Sequence, residues 1–318
     1  ISSEKLNSPE IFLPLRLRIC ENCWLVQTED FTDASSIFHD EYAYFSSIST
    51  GWLNHAKKYS HYVINRFNLN SESQVVEIAS NDGYLLRNFI DMNIPCLGVE
   101  PTASTAKVAE ALGIPVKKAF FSEALAEELL QAGNSADLII GNNVYAHVPN
   151  INDFTRGIAK LLKPSGIVTL EFPHLMKLIE FCQFDTVYHE HFSYLSALTV
   201  SKIFKQNGLR IFDIEELATH GGSLRIFGCH SGASNRLTPR AKTVFAEEYE
   251  QGLDNINYYE TFQTRTDNIK YEFINFLIGA KKSKKTVAAY GAAAKGNTLL
   301  NYAGIKTDLV PFICDAAE

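Results

Sequence analysis

The sequence contains no run approaching the roughly 18 consecutive apolar residues that a membrane span needs. Ile1 to Glu10 hold no basic stretch followed by an apolar core, so a soluble, cytoplasmic protein with no membrane partner is expected. Basic residues are also in deficit: Lys+Arg 29 against Asp+Glu 36 gives a net charge of −7. That balance argues against a partner held mainly by phosphate neutralisation, so no nucleic-acid partner is expected. Six cysteines are too few and too scattered for a disulfide framework, and only Cys20 and Cys23 form a close pair. There is no internal repeat, and with 46% hydrophobic residues in 318 the chain is too apolar to be disordered and long enough for two domains. It begins at Ile and stops just after an apolar strand, so a piece of a longer chain is expected.

What is present from Gln74 onward is an alternation of short β-type runs with amphipathic helical stretches, the pattern of a parallel sheet covered on both faces. Strands are expected at 74–79, 96–100, 136–141 and 166–172, with helices over 84–92, 104–112, 122–131 and 151–162 between them. A helix over 198–206 then leads to 209–213 and 223–228, two strands close enough in sequence to pair antiparallel at the sheet edge. That closure is more typical of class I methyltransferases than of nicotinamide dehydrogenases. A charged helical stretch over 238–279 precedes a strand (286–290), a Gly/Ala-rich turn, a helix and a strand (309–314), a β-loop-α-β unit that begins a second, Rossmann-like α/β domain.

The first strand and its turn read Val75-Val-Glu-Ile-Ala-Ser-Asn-Asp-Gly-Tyr84. Small residues there let backbone approach a ligand, and the amides of the helix start face it. The G-x-G-x-x-G fingerprint of dinucleotide sites is missing, which lowers the case for NAD or FAD. Glu100 ends the second strand, where doubly wound folds place an acid on a ribose diol. A ribose-bearing cofactor with no pyrophosphate to cradle points to S-adenosylmethionine. The other reading makes Glu77 and Glu100 ordinary strand-end charges. Cofactor contacts are expected from Glu77, Ala79, Ser80, Asn81, Asp82, Gly83, Glu100 and Pro101. Asn142 and Asn143, after the fourth strand, either hold the methionine end or the adenine, or are turn residues.

The segments Cys20-Glu-Asn-Cys23, Glu77-Ile-Ala-Ser-Asn-Asp-Gly83, Gly98-Val-Glu-Pro-Thr102, Ala146-His-Val-Pro149, Tyr188-His-Glu-His191, His220-Gly-Gly-Ser-Leu-Arg225 and Tyr290-Gly-Ala-Ala-Ala-Lys-Gly-Asn-Thr298 span nearly the whole chain. In this order they resemble the S-adenosylmethionine-dependent sugar C-methyltransferases. The resemblance implies three parts: an N-terminal zinc module (1–49), a methyltransferase domain (50–232) and a C-terminal α/β domain (233–318). It implies a nucleotide-diphosphate ketosugar as substrate, methylated at C-3 of a 4-keto-deoxysugar. The family's zinc is held by four cysteines. Cys20 and Cys23 would be half of that site, the other half being expected upstream of Ile1, because two thiolates cannot complete a tetrahedral structural site. Cys96, Cys182, Cys229 and Cys314 lie in or beside apolar runs and are expected in the core.

Joining a methyl to carbon from a sulfonium requires a carbanion, and on a sugar the accessible one is the enolate beside a ketone. A general base and an oxyanion stabiliser are therefore needed. Two histidines, a carboxylate and a phenol within Tyr188–His191, flanked by Phe181, Phe184, Phe192 and Tyr194, favour catalysis; the spacing does not match H-E-x-x-H metal sites. The resemblance places Tyr42, His147, Tyr188, Glu190 and His191 at the active site. His191 is expected as the base, Glu190 as its orienting carboxylate, Tyr188 as donor to the enolate oxygen, and His147 as a shared acid or base. His189, His220, Lys295 and Asn297 are expected to contact substrate. The Gly291–Gly296 loop has Lys and Gly in the wrong order for a P-loop, and either binds a diphosphate at its helix start or is a tight packing turn. An O- or N-methyltransferase, or a zinc-bearing binding protein without catalysis, are the alternative functions.

Overall fold

The computed structural model describes residues 13–29 and 45–315 of the chain. Among the described residues twelve strands run in chain order: β1 (Leu17–Ile19), β2 (Val26–Thr28), β3 (Val75–Ile78), β4 (Cys96–Val99), β5 (Val116–Lys117), β6 (Ala136–Asn142), β7 (Leu162–Pro173), β8 (Ser193–Tyr194), β9 (Leu209–Leu217), β10 (Ser223–His230), β11 (Ala289–Tyr290) and β12 (Ile313–Cys314). Seven of them form the central sheet, in the order β5-β4-β3-β6-β7-β10-β9. Strands β5 to β7 pair in parallel, while β10 runs antiparallel to both β7 and β9. The expected antiparallel pair closes that edge, with the reversed strand lying one place in from it.

The central strands are buried on both faces, which is why β3 and β6 read as continuous apolar runs. One face carries Val76, Ile78, Ile139 and Val168 against the helices Glu123–Gln131, Ile151–Leu161 and Ala197–Gln206. The other carries Val75, Leu138, Ile140 and Ile167 against Ala56, Tyr59 and Val63 of the helix Thr50–Phe67. That last helix was not foreseen. It starts at Ser49, whose hydroxyl accepts from the Trp52 amide at 3.2 Å, and ends at Asn68 in the left-handed conformation.

The stretch expected as a helix over 84–92 is helical only at Arg87–Ile90. Its amides donate to carbonyls partly three and partly four residues back, while Leu85, Leu86 and Phe89 turn into the core. The charged stretch over 238–279 is two helices, Pro239–Gln251 and Asn257–Lys282, divided at Gly252 (φ 84°). The C-terminal unit is as expected a parallel pair, β11 with β12, joined through the helix Ala294–Ala303. Cys96, Cys182 and Cys229 are buried, but Cys314 is exposed, because the two-stranded sheet that carries it leaves its end uncovered. No helix of the described residues is long and apolar enough to cross a membrane.

The turn after β3 is built by three residues with positive φ: Ala79 (58°), Asn81 (49°) and Gly83 (78°). Only the last is a glycine, and a Cβ there would stand 2.5 Å from Ile114 Cδ1 and 3.1 Å from Ala109 Cβ. Gly83→Ala is therefore expected to destabilise the protein by about 1–3 kcal/mol, combining left-handed strain with overpacking. Urea unfolding midpoints measure it, and a change below about 0.5 kcal/mol would mean that the turn relaxes freely.

Candidate active site

Acidic and amide side chains gather at the carboxyl ends of β3, β4 and β6. Glu77, Ser80, Asp82, Glu100 and Asn142 are all buried. Glu100 follows β4; its Oε2 accepts from the Asn81 amide and its Oε1 from the Thr102 amide, both at 2.9 Å. These bonds fix the carboxylate against the turn while leaving each oxygen a lone pair for a diol. Glu77 has no hydrogen-bond partner for either oxygen among the described residues. The same holds for Ser80 Oγ, Asp82 Oδ1, both side-chain polar atoms of Asn142, and Asn143 Oδ1. Burial, with Glu100 and Asp82 adding like-charge repulsion, pushes the Glu77 carboxyl well above the usual carboxylate range. A group of buried polar atoms, mostly carboxylate and amide oxygens, without partners fits a ligand that brings an ammonium, hydroxyls and an aromatic amine. S-adenosylmethionine carries all three. Pro101 lies in the turn just after Glu100, and Ala79 begins the left-handed turn. The segment before the Thr50–Phe67 helix closes over this turn: the Ser46 amide donates to Asn81 Oδ1 (2.9 Å) and the Ser47 amide to Asp82 Oδ2 (3.0 Å).

His147 ends the single turn Tyr145–His147 that follows β6 and Asn143. His191 and His147 meet edge to face at 4.7 Å, and Tyr188 lies 4.2 Å from His191. His191 Nδ1 is 3.0 Å from the Thr186 carbonyl and His147 Nδ1 is 2.8 Å from the Glu190 carbonyl. A carbonyl only accepts, so both rings carry their proton on Nδ1 and a lone pair on Nε2. Burial first, then the neighbouring His147, pushes His191 down to about 3, and burial pushes His147 down to about 4. Both rings are thus neutral near pH 7. Glu190 supplies its main-chain carbonyl to His147, and burial raises its carboxyl.

The remaining expected residues divide. His220 and Lys295 lie within electrostatic reach of one another, and Lys295 also acts on His191. His189 turns to the N-terminal segment, its Nε2 bonding the Pro14 carbonyl at 3.0 Å. It also lines, with Tyr188, Asn297 and Tyr302, a cavity of about 1090 Å³ between β1, β2 and the C-terminal helices. Tyr42 lies outside the described residues. Sequence reasoning missed His55, Trp52 and Glu171: His55 Nε2 contacts Glu171 at 3.0 Å, and Trp52 stacks on His55 at 4.8 Å. The available signal was a glutamate inside the apolar run of β7.

Cys20 and Cys23 face each other in the β1–β2 turn, where the Cys20 carbonyl accepts from the Trp24 amide at 2.7 Å. Amides of Cys23 and Asn22 lower the Cys20 thiol, as suits a metal thiolate, while burial raises that of Cys23. Two thiolates are half of what a tetrahedral structural zinc site takes. Among the described residues no group of three or more His, Cys, Asp or Glu side chains could hold a metal.

Three family models match the chain: "Putative zinc binding domain" over 1–38, "Methyltransferase domain" over 52–214 and "C-methyltransferase C-terminal domain" over 218–318. C-methyltransferase NovU of Streptomyces niveus is 32% identical over 306 residues, covering 96% of this chain and 73% of that protein. The chain belongs to the C-methyltransferase family. It is an S-adenosylmethionine-dependent C-methyltransferase with an N-terminal zinc-binding domain. The ubiquinone biosynthesis O-methyltransferase of Rhizobium etli is 27% identical over 99 residues, 30% of this chain and 39% of that one. Among solved structures, magnesium protoporphyrin IX methyltransferase from Synechocystis PCC 6803 with bound SAM aligns at 16% identity and TM-score 0.44, covering 62% of this chain and 89% of that one.

Two outcomes follow from this geometry. Glu100→Ala should weaken S-adenosylmethionine binding about 10- to 100-fold, the loss of charge-assisted bonds to a ribose. Calorimetry reads this directly, and an unchanged Kd would remove Glu100 from the cofactor site. The second concerns stability. In the unfolded chain His147 and His191 titrate near 6.5, above their folded values of about 4 and about 3. Their contribution is therefore intact above pH 6.5 and is lost as pH falls, by up to about 1.4 kcal/mol per pH unit for each group. Unfolding curves between pH 7.5 and 4.5 should show that slope, and His191→Gln should flatten it; an equal slope in the variant refutes the burial argument.

Proposed function

We propose that the protein methylates the carbon alpha to the ketone of a nucleotide-diphosphate-linked ketosugar, through an enolate, with C-3 of a 4-keto-deoxysugar as the acceptor. The cytoplasm would be its compartment, and the three parts 1–49, 50–232 and 233–318 would hold zinc, cofactor and nucleotide respectively. The observation that carries the reading is the pair of buried neutral imidazoles, each with its Nε2 lone pair set by a carbonyl on Nδ1. A C–H beside a ketone is acidic enough for such a base, whereas an alkyl C–H is not.

Glu77, Asn81, Asp82 and Glu100 hold the cofactor, with Asn142 and Asn143 at its far end. Bound there, S-adenosylmethionine supplies an electrophilic methyl group on a sulfonium. His191 Nε2 removes the alpha proton. Tyr188, whose ring lies over His191, donates its hydroxyl to the enolate oxygen as charge develops. His147 takes the proton onward or stabilises the imidazolium edge to face. Lys295 and Asn297, at the start of the Ala294–Ala303 helix, take the diphosphate, and His220 and His189 contact the substrate nearby. The Ala292 amide at this loop donates to the Asp315 carboxylate, so a diphosphate bound there would take that carboxylate's place.

The test is a panel of nucleotide ketosugars with S-adenosylmethionine, read by mass spectrometry for methyl gain and for exchange of the alpha proton with solvent. His191→Asn should lower methyl transfer by about 10²–10⁴-fold and abolish the exchange, with cofactor Kd unchanged. Normal exchange in that variant would move the base to His147. Methyl transfer to oxygen or nitrogen, without any alpha exchange, would replace the enolate reading by that of an O- or N-methyltransferase.

A further inference from the structure

A second group of polar side chains adjoins the imidazole pair and has no part in the proton transfer. Glu171, fully buried near the end of β7, receives Arg225 Nη2 at 2.6 Å, His55 Nε2 at 3.0 and 3.1 Å, and Thr219 Oγ1 at 3.2 Å. Burial pushes this carboxyl up, but the His55 bond and the Arg225 charge outweigh it and hold it below the usual range. Arg225 lies directly across from Glu171 in the β7–β10 register and from Glu215 in the β9–β10 register, so the sheet itself fixes the ion pair. A pair this deep is weak evidence for stability, since apolar residues of similar volume often do as well.

What the pair does is hold two histidines. His55 is gripped directly, and its ring stacks on Trp52 at 4.8 Å with 20% of its side chain still exposed. His220 is gripped through Thr219, which opens the turn carrying His220 (φ 53°), Gly221 (79°) and Gly222 (118°); its ring meets the edge of Trp52 at 5.6 Å. His220 lies within electrostatic reach of His55, Glu171 and Lys295, and His191 within reach of His220 and Lys295. Glu171 lies across from Asn142 in the β6–β7 register, and Trp52 approaches Tyr84 at 6.1 Å, so this group adjoins the cofactor cradle.

We propose that His55 is a substrate-contacting residue, positioned by Glu171 and Arg225, and that it recognises a hydroxyl of the sugar ring. His55 Nε2 lies 3.0 and 3.1 Å from the Glu171 oxygens and 3.0 Å from Arg225 Nη2, whose nearer partner is Glu171 Oε2 at 2.6 Å; with Nε2 donating to the carboxylate in the neutral ring, Nδ1 is left to accept from a substrate hydroxyl. This contact rests on the ketosugar reading above. It makes His55 a specificity determinant: a sugar lacking that hydroxyl loses the contact.

The experiment compares wild type, His55→Leu, His55→Gln and Glu171→Gln on the ketosugar that wild type turns over best and on its ring-deoxy analogues. His55→Leu should raise KM about tenfold for the hydroxyl-bearing sugar, the size of one hydrogen bond, and leave KM for one deoxy analogue unchanged. Cofactor Kd and alpha-proton exchange at saturating sugar should stay at wild-type values. His55→Gln, whose amide oxygen also accepts, should recover part of the loss, and Glu171→Gln should reproduce it. If Glu171→Gln fails to fold, the His55 variants, on the half-exposed face of a helix, still decide the question. An equal KM rise for every analogue, a KM within twofold of wild type, or a loss that follows cofactor Kd overturns the proposal. A wild type that turns over no ketosugar overturns the functional reading and the contact with it, whereas wild-type turnover with an indifferent His55→Leu overturns the contact alone.

Discussion

The segment from Phe184 to Tyr194 is held from three directions, and the candidate chemistry depends on that grip. From the N-terminal side, β2 pairs with β8, and Thr28 donates its amide to the Phe192 carbonyl at 3.2 Å and its hydroxyl to the His191 carbonyl at 3.0 Å. From the C-terminal side, Thr298 of the Ala294–Ala303 helix donates to the Val187 carbonyl at 3.0 Å, and Tyr302 packs on Phe184 at 5.2 Å. From the central domain, His147 bonds the Glu190 carbonyl. A loop fixed only at its own ends would leave the imidazoles free to sample many rotamers. Here each backbone carbonyl that sets a tautomer belongs to a segment clamped by another part of the chain, which is preorganisation of the kind a general base requires.

The clamp is anchored in turn by a buried carboxylate. Glu248, from the helix Pro239–Gln251, accepts the Ala197 and Leu198 amides at 2.7 and 2.8 Å and His174 Nε2 at 2.7 Å. It thereby satisfies orphan donors at the start of the Ala197–Gln206 helix and ties them to the residue just after β7. The helix leading into the C-terminal unit and the strand bearing Glu171 are thus fixed to one point on either side of the Phe184–Tyr194 segment. Because the helix start lies three residues after β8, displacing Glu248 would loosen the same loop that Thr28 and Thr298 hold.

Much of this architecture was legible in the chain, and the legible part is local. Apolar runs announced β3, β4, β6 and β7, and the Tyr-His-Glu-His cluster announced one of the two facing imidazoles, His191, while His147 comes from the turn after β6. What could not be read is contact between distant segments. His55 and Glu171 are 116 residues apart, and nothing in the neighbourhood of either one names the other. Glu171 and Arg225 each interrupt an apolar strand, which signals that a partner exists without saying which. The short strands β2 and β8 carry too few residues for a period, so their pairing, and with it the docking of the N-terminal hairpin on His191, depends on tertiary context. Cys314 was misplaced for a related reason: an apolar run implies burial only where enough neighbouring structure covers it.

The imidazoles pose a further electrostatic question. A base whose imidazolium is disfavoured by burial is weak in the free enzyme, and His191 and His147 are both pushed far down. The proton they accept is not lost into an empty pocket, however. On the enolate reading proposed above it would be exchanged for a negative charge on the neighbouring substrate, and in a water-poor site an imidazolium beside an enolate is stabilised far more than either ion alone. The same burial that weakens the base at rest therefore strengthens its pairing with the enolate, and keeps a positive ring from competing with the cofactor for Glu77, Asp82 and Glu100. In the proposed reaction the methyl group would pass from the sulfonium to the enolate carbon and the neutral thioether S-adenosylhomocysteine would leave, so both charges would disappear, a change that a low-dielectric site favours over water. On this argument neutrality of the histidines before substrate arrives is part of the mechanism, and the carbonyl grips on their Nδ1 atoms are what allow two uncharged rings to stand side by side.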